Sequence, residues 1–176
     1  MGTDTHPSYL ADTGLSDWAR QVLDLRLDAM LATVRPDGSP HTVPVGYAFD
    51  GERFLIASGS TTRKVRNIET NPRVRVLVAA LATTVGIDDG WVAADGSAHV
   101  VRGAEAQELN AVAVGRYLTE EGKQGFKEVF LPIMDVTIVV TPERWQTWNE
   151  TGMLNTMIEH GYTEDDAARW YLPYGS

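Results

Sequence analysis

Leu15, Trp18, Val22 and Leu23 recur at helical spacing behind Ser16 and Asp17, either of which can cap, and this predicts an amphipathic helix over 16–27. From Ala29 the pattern becomes that of β structure. Residues 29–35 read as a strand ended by Pro36-Asp37-Gly38-Ser39, a strong turn signal. A second run, 40–49, meets a turn at Asp50-Gly51-Glu52, and 53–58 follows, so three strands should form an antiparallel meander. Residues 65–71 read as a short helix stopped by Pro72. After it, 73–80 alternates charge and valine before turning apolar, as a strand entering a core does. Trp91 opens a long strand to Arg102, bent at Gly96, and 104–118 reads as a helix with Leu109, Val112, Ala113 and Tyr117 as its stripe. A short helix or loop over 122–130 and a strand over 135–141, extended past Pro142 by 144–148, complete the core pattern. Thr163 followed by Glu164, Asp165 and Asp166 marks the start of a last helix reaching Trp170. Residues 1–14 read as a flexible arm.

Mostly antiparallel strands with interposed helices imply a small barrel with helices attached, in one domain. The division expected is an arm at 1–14, a barrel domain at 15–149 and a helical extension of that domain at 150–176.

The run 40–49 has two unlike faces. His41, Val43, Val45, Tyr47 and Phe49 share one, and Pro40, Thr42, Pro44, Gly46 and Ala48 the other. The large face fits a core. The small face lets a flat ring approach the backbone, and two prolines place the strand at an edge.

Composition narrows the chemistry by exclusion. The 176 residues are 43% hydrophobic and 22% charged, with no apolar run of membrane-span length. Without cysteine, disulfides and thiolate metal sites are excluded, and a reducing cytoplasm is the expected location. The four histidines (His6, His41, His99, His160) have no metal-ligand spacing, and no metal is expected. No serine sits in a nucleophile elbow, and no glycine fingerprint of a Rossmann site follows a strand. A net charge of −9 argues against nucleic acid as a partner.

Against that acidic background, residues 63–75 carry Arg63, Lys64, Arg66, Arg73 and Arg75 and one acid, Glu69. Ser58-Gly59-Ser60-Thr61-Thr62 precedes them, the kind of run that ends a strand and caps a helix. Arg63 and Lys64 then fall in the first helical turn, where the helix dipole disfavours cations unless an anion joins them. The reading is a phosphate seat, with Arg66 and Arg73 weaker members. A planar, phosphorylated cofactor would satisfy both this seat and the small face of 40–49.

Residues 31–45, Leu-Ala-Thr-Val-Arg-Pro-Asp-Gly-Ser-Pro-His-Thr-Val-Pro-Val, resemble the first hairpin of the flavin/deazaflavin oxidoreductase split β-barrel family, which includes pyridoxamine-phosphate-oxidase-like proteins. Thr62-Arg63-Lys64-Val65-Arg66-Asn67-Ile68 with Asn71-Pro72-Arg73-Val74 resembles its phosphate-binding helix and the following strand. Asp88-Asp89-Gly90-Trp91 leading to Gly96-Ser97-Ala98 resembles a later strand. The likeness covers about 27–103, and 135–141 loosely.

The resemblance implies a six-stranded antiparallel split β-barrel (an FMN-binding split barrel) with N- and C-terminal helices, and a homodimer with cofactor sites at the interface. By the same likeness the ring lies along Val43, Pro44 and Val45. Ser58, Thr62, Arg63 and Lys64 take the phosphate, and Trp91 contributes from the neighbouring subunit. The hairpin and the Arg-Lys-x-Arg-Asn pattern look closest to the branch using coenzyme F420, a deazaflavin, with FMN as the alternative. The implied activity is hydride transfer to a small unsaturated organic substrate. The alternatives are an FMN-dependent oxidase and a non-catalytic flavin- or haem-binding carrier. Tyr47 and His41 are the candidates for protonating the product. The tail beyond Glu143, with its tryptophans, departs from the short ending expected of the family.

Overall fold

The computed structural model describes residues 15–81, 87–130, 132–163, 165, 166 and 169. The expected arm at 1–14 and Trp170 lie outside the described residues. Seven strands form one antiparallel sheet: β1 (Ala29–Val34), β2 (Pro40–Val45), β3 (Ala48–Phe49), β4 (Phe54–Ser58), β5 (Arg73–Ala80), β6 (Gly90–Arg102) and β7 (Val136–Asn149). Their order is β2-β1-β5-β6-β7-β4-β3. Five helices accompany them: α1 (Asp17–Asp24), α2 (Arg63–Thr70), α3 (Gly103–Gly115), α4 (Glu120–Val129) and α5 (Glu150–Glu159). Among the described residues, no helix is long and apolar enough to cross a membrane.

The expected meander is corrected by the fate of residues 40–49. This run is not one strand. Its first part pairs with β1, from Val34↔Pro40 to Ala29↔Val45, and its last two residues pair with β4 at the opposite edge of the sheet. The sheet therefore has seven strands and stays open, and the chain passes from one edge to the other through Gly46 and Tyr47. Buried Tyr47 holds that crossing. Its amide donates to the Tyr117 hydroxyl at 3.0 Å, its own hydroxyl donates to the Leu23 carbonyl at 3.0 Å, and its carbonyl accepts from Arg116 at 3.3 Å. A side chain expected on the core face thus closes the place where the barrel splits.

The same residues explain why α1 ends early. Ser16 caps it by accepting from the Ala19 amide, and Val22 and Leu23 enter the core. The expected continuation to residue 27 fails because its carbonyls are taken from outside. Arg116 donates to Leu23 and Leu25, and Tyr117 donates to Leu27. On α3 the buried positions are Ala106, Asn110 and Ala113, while Val112 of the expected stripe is 55% exposed. Small residues let α3 lie close to the sheet, and buried Asn110 is satisfied by donating to the Met134 carbonyl (2.7 Å) and accepting from Thr137 (2.7 Å).

β6 and β7 pair over most of their length. The expected bend at Gly96 is a β-bulge: Asp95 faces Arg144, Gly96 faces Pro142, and Glu143 is left over. Pro142 is tolerated there because the ladder is already interrupted. Residues 136–140 are buried on both faces, with Ile138 and Val140 in the barrel and Val139 against Ala48, Leu55 and Ala113 beside α3. This accounts for their unbroken apolar run. Beyond the sheet, Asn149 caps α5, and Thr163 donates through both its amide and hydroxyl to the Asp166 carboxylate. Trp145 packs edge-on against Phe49 and beside Phe54, a packing role.

Candidate functional site

β4 delivers Ser58 to the end of the barrel, and α2 starts five residues later with Thr62 at its N-cap. A threonine there ordinarily accepts from an amide of the first turn. Here it makes no capping bond, and its Oγ1 lies 3.1 Å from the Ser58 Oγ. Thr62 thus leaves the positive end of α2 without the usual side-chain acceptor of an N-cap.

Arg63 is exposed and Lys64 half-buried on that turn. Among the described residues, neither has a carboxylate within ion-pair distance. Burial holds the Lys64 ammonium below its usual pKa, since a charge with little water and no counter-charge is penalised. The turn leading into α2 is fixed from the other side. The Ser60 amide donates to Asp135 Oδ1 at 2.6 Å, and the bonds from Ser60 hold this carboxyl below its usual range.

β2 is an edge strand with Pro40, Thr42 and Pro44 exposed, Val43 half-buried and Val45 buried, and Gly46 just after it is exposed. Its backbone is open on the side away from β1, and Pro44 stands opposite Met30, itself 40% exposed. His41, on the inward face, connects this strand to α2. The Thr33 hydroxyl lies 3.4 Å from His41 Nδ1, and Asn67 Nδ2 of α2 donates to the same hydroxyl at 2.9 Å. Burial first, then Arg35, Arg63 and Lys64, hold the His41 imidazole below its usual pKa.

Ser58, Thr62, Arg63, Lys64 and His41 are thus gathered at one end of the barrel. Trp91 is not with them. Ser58 pairs with Val136 and Val136 with Arg102, so Trp91 lies eleven residues along β6, roughly 35 Å of strand at about 3.3 Å per residue. Tyr47 is also elsewhere, fully buried, with its hydroxyl committed to Leu23 and its pKa pushed far up by burial. That placement removes it from the candidates for product protonation. Arg66 is exposed on α2. Arg75 is tied to Asp95 at 2.9 Å and to Gln146, and Arg144 meets the same Asp95 at 2.7 Å. Those arginines and Arg73 line an open cleft of about 560 Å³ with Val34, Pro40 and Gly96. Its positive charge is partly neutralised by Asp95, unlike that of the α2 turn.

The motifs assign no role to three residues of the site, although two of them, Asn67 and Thr33, stand inside those runs. Asn67 is polar at a buried helical position three residues after Lys64, Thr33 is polar at an inward position of β1, and Asp135 reaches the site only through the fold. The first two carry a signal in the sequence, since each puts a polar side chain on an otherwise apolar inward face. Chemically, the arrangement suits an anion of the phosphate class: an uncapped helix start, two cations without carboxylates, and two hydroxyls, beside an edge strand of small exposed residues.

The solved structures similar to this chain include a conserved hypothetical protein from Mycobacterium tuberculosis, 26% identical, covering 81% of this chain and 90% of that one, with a TM-score of 0.64. An F420 reductase is 27% identical, covering 72% of this chain and 94% of that one, with a TM-score of 0.55. HutZ, the haem storage protein of Vibrio cholerae, shares the fold at 19% identity, covering 78% and 95% of the two chains, with a TM-score of 0.57. Residues 16–149 match the family model of pyridoxamine 5'-phosphate oxidase, a span containing every strand of the sheet and α1 to α4. The chain belongs to the pyridoxamine 5'-phosphate oxidase family.

Proposed function

We propose that the chain is an oxidoreductase that uses coenzyme F420, with FMN as the alternative cofactor, to reduce a small unsaturated organic substrate. The observation that carries this reading is the α2 turn, whose first-turn cations have no carboxylate among the described residues and whose N-cap makes no side-chain bond. The likeness to an F420 reductase supports the deazaflavin over FMN.

In this reading Arg63 and Lys64, with the first amides of α2 and the Thr62 hydroxyl, hold the phosphate, and Ser58 orients Thr62. The small exposed face of β2 at Pro44, flanked by Val43 and Val45, supports one side of the ring. When bound, the cofactor supplies the hydride. The protein's own contribution is position and exclusion of water. With Tyr47 buried and its hydroxyl committed to Leu23, and His41 tied to Thr33 beside α2, solvent water is the simplest proton source for the product. Trp91 lies too far from the seat to serve it within one chain, so in this reading any part it plays comes from a second copy, in a homodimer.

Titration with F420 and with FMN tests the reading, followed by turnover of reduced cofactor with a panel of activated alkenes. Saturable F420 binding with substrate-dependent reoxidation is expected. Tight binding of neither would end it. A non-catalytic carrier is favoured by one feature, the absence of an exposed proton donor among the residues gathered at the seat. Binding without turnover across the panel would select it.

A further inference from the structure

We infer that His41, fastened by Thr33 and Asn67, is a third cation of the anion seat, taking up a proton from solvent as an anion binds beside Arg63 and Lys64. This rests on the reading of the α2 turn given under the proposed function, and it assigns to that site a proton-linked mode of binding.

The geometry begins with Asn67. It is wholly buried and follows Lys64 by three residues, so both lie on one face of α2. Its Nδ2 donates to Thr33 Oγ1 at 2.9 Å. That hydroxyl stands 3.4 Å from His41 Nδ1 and 3.3 Å from the His41 carbonyl. Helix α2 is therefore fastened through β1 to the edge strand β2, with the imidazole set next to the helix face that carries Lys64.

The Thr33 hydroxyl serves both charge states of the ring. With His41 neutral, its proton points to Nδ1. With His41 protonated, Nδ1–H donates to Thr33 Oγ1, and the hydroxyl proton turns to the His41 carbonyl. Neither state leaves Nδ1 or the buried hydroxyl unpaired.

The charged groups acting on the imidazole are Arg35, just beyond β1, and Arg63 and Lys64 on α2, all of them cations. The neighbouring cleft, lined with Pro40 by Arg73, Arg75 and Arg144, also holds Asp95 and Glu143, which offset its positive charge. With the seat empty, burial first and then Arg35, Arg63 and Lys64 hold the His41 pKa down. A bound dianion offsets most of this positive charge and favours the imidazolium. Binding and protonation are then linked, each strengthening the other.

Sulfate is the probe of choice because its charge is fixed across the range, with FMN as a second ligand. The His41 ring proton is followed by NMR against pH with and without sulfate, and sulfate affinity is measured from about pH 8 down to about pH 5, the range of histidine titration. The His41 midpoint should rise on adding sulfate, and affinity should increase as the pH falls, by roughly tenfold for each unit of that rise. His41→Gln should keep the affinity seen at high pH and lose the increase. Thr33→Val should shrink the midpoint shift, and Thr33→Ser should restore it. A double variant, Arg63→Ala with Lys64→Ala, should abolish the shift and so exclude sulfate bound elsewhere.

An unmoved His41 midpoint in sulfate-saturated protein would overturn the inference and leave the anion seat standing. So would an unchanged pH slope in His41→Gln. Failure of sulfate, FMN and F420 alike to bind saturably would overturn both this inference and the proposed function.

Discussion

The Asp135 carboxylate accepts the Ser60 amide at 2.6 Å, joining the start of β7 to the turn that leads into α2. Removing the acceptor in Asp135→Ala should cost about 1 kcal/mol, the ordinary net value of one hydrogen bond. The melting temperature should then fall by about 2–4 °C, and cofactor affinity should drop with the loosened turn. Asp135→Asn keeps an acceptor and removes a negative charge near the seat, so it should bind an anion at least as tightly as the parent. The folded carboxyl titrates below its ordinary value, so the tie is at full strength above about pH 4 and is lost as the pH falls through the lower, folded value. Thermal melts and F420 or FMN titration of the two variants check this. Equal affinities in both would remove Asp135 from the site.

Lys64 carries a cost in the free protein that a bound anion would offset. Lys64→Ala should weaken cofactor binding by roughly ten- to a hundredfold, the loss of a charge-assisted hydrogen bond of about 1.5–3 kcal/mol. Turnover at saturating cofactor should change little, because the interaction is made equally before and during the reaction. Lys64→Met keeps the length of the side chain and should leave the free protein as stable as the parent or more so, since no half-buried ammonium then goes without a counter-charge. Loss of turnover with affinity intact would contradict the assignment.

Tyr47→Phe separates structure from chemistry at the split of the barrel. The Leu23 carbonyl keeps its bond from Arg116 at 3.1 Å, so the cost should be about 1 kcal/mol or less, with cofactor affinity and turnover unchanged. The pH dependence has a definite sign. The folded tyrosine stays neutral well above the pH where an unfolded one ionises, so stability is complete below about pH 10 and falls as the pH rises beyond it. The phenylalanine variant should lose less stability over that alkaline range, as measured by urea denaturation at stepped pH.

Much of this was legible in the chain because local rules and the fold agree. Ser16, the Pro36–Ser39 turn, the strand ends and the basic turn before Pro72 each act within a few residues, where pattern reading has force. The mainly antiparallel split barrel expected from the resemblance is present. What could not be read is set by contacts distant in sequence. The run 40–49 looks continuous, yet it breaks at Gly46 because Tyr117 and Arg116, some seventy residues on, take the amide and the carbonyl of Tyr47. The stripe on α3 was misassigned at Val112 because burial there favours small residues and an asparagine paired to β7. At the site, the motifs assign a role to the contiguous cations but none to Asn67 or Thr33, which they contain, because those roles arise only when α2 lies on β1.

Two glycines with opposite surroundings give a last test. A Cβ at Gly96 would lie 2.1 Å from the Thr141 carbonyl oxygen, a backbone atom that cannot move without shifting the bulge and Pro142. Gly96→Ala should therefore cost about 3 kcal/mol or more, in the range of overpacking within a rigid element. The damage should reach the Arg75–Asp95–Arg144 bridge that flanks the bulge. Gly125, exposed within α4, has nothing within 4 Å of an added Cβ, and Gly125→Ala should stabilise by about 0.5–1 kcal/mol by lowering the entropy of the unfolded chain. Urea denaturation of the two variants should move the midpoint in opposite directions, and a shift of the same sign in both would refute the register of β6 on β7.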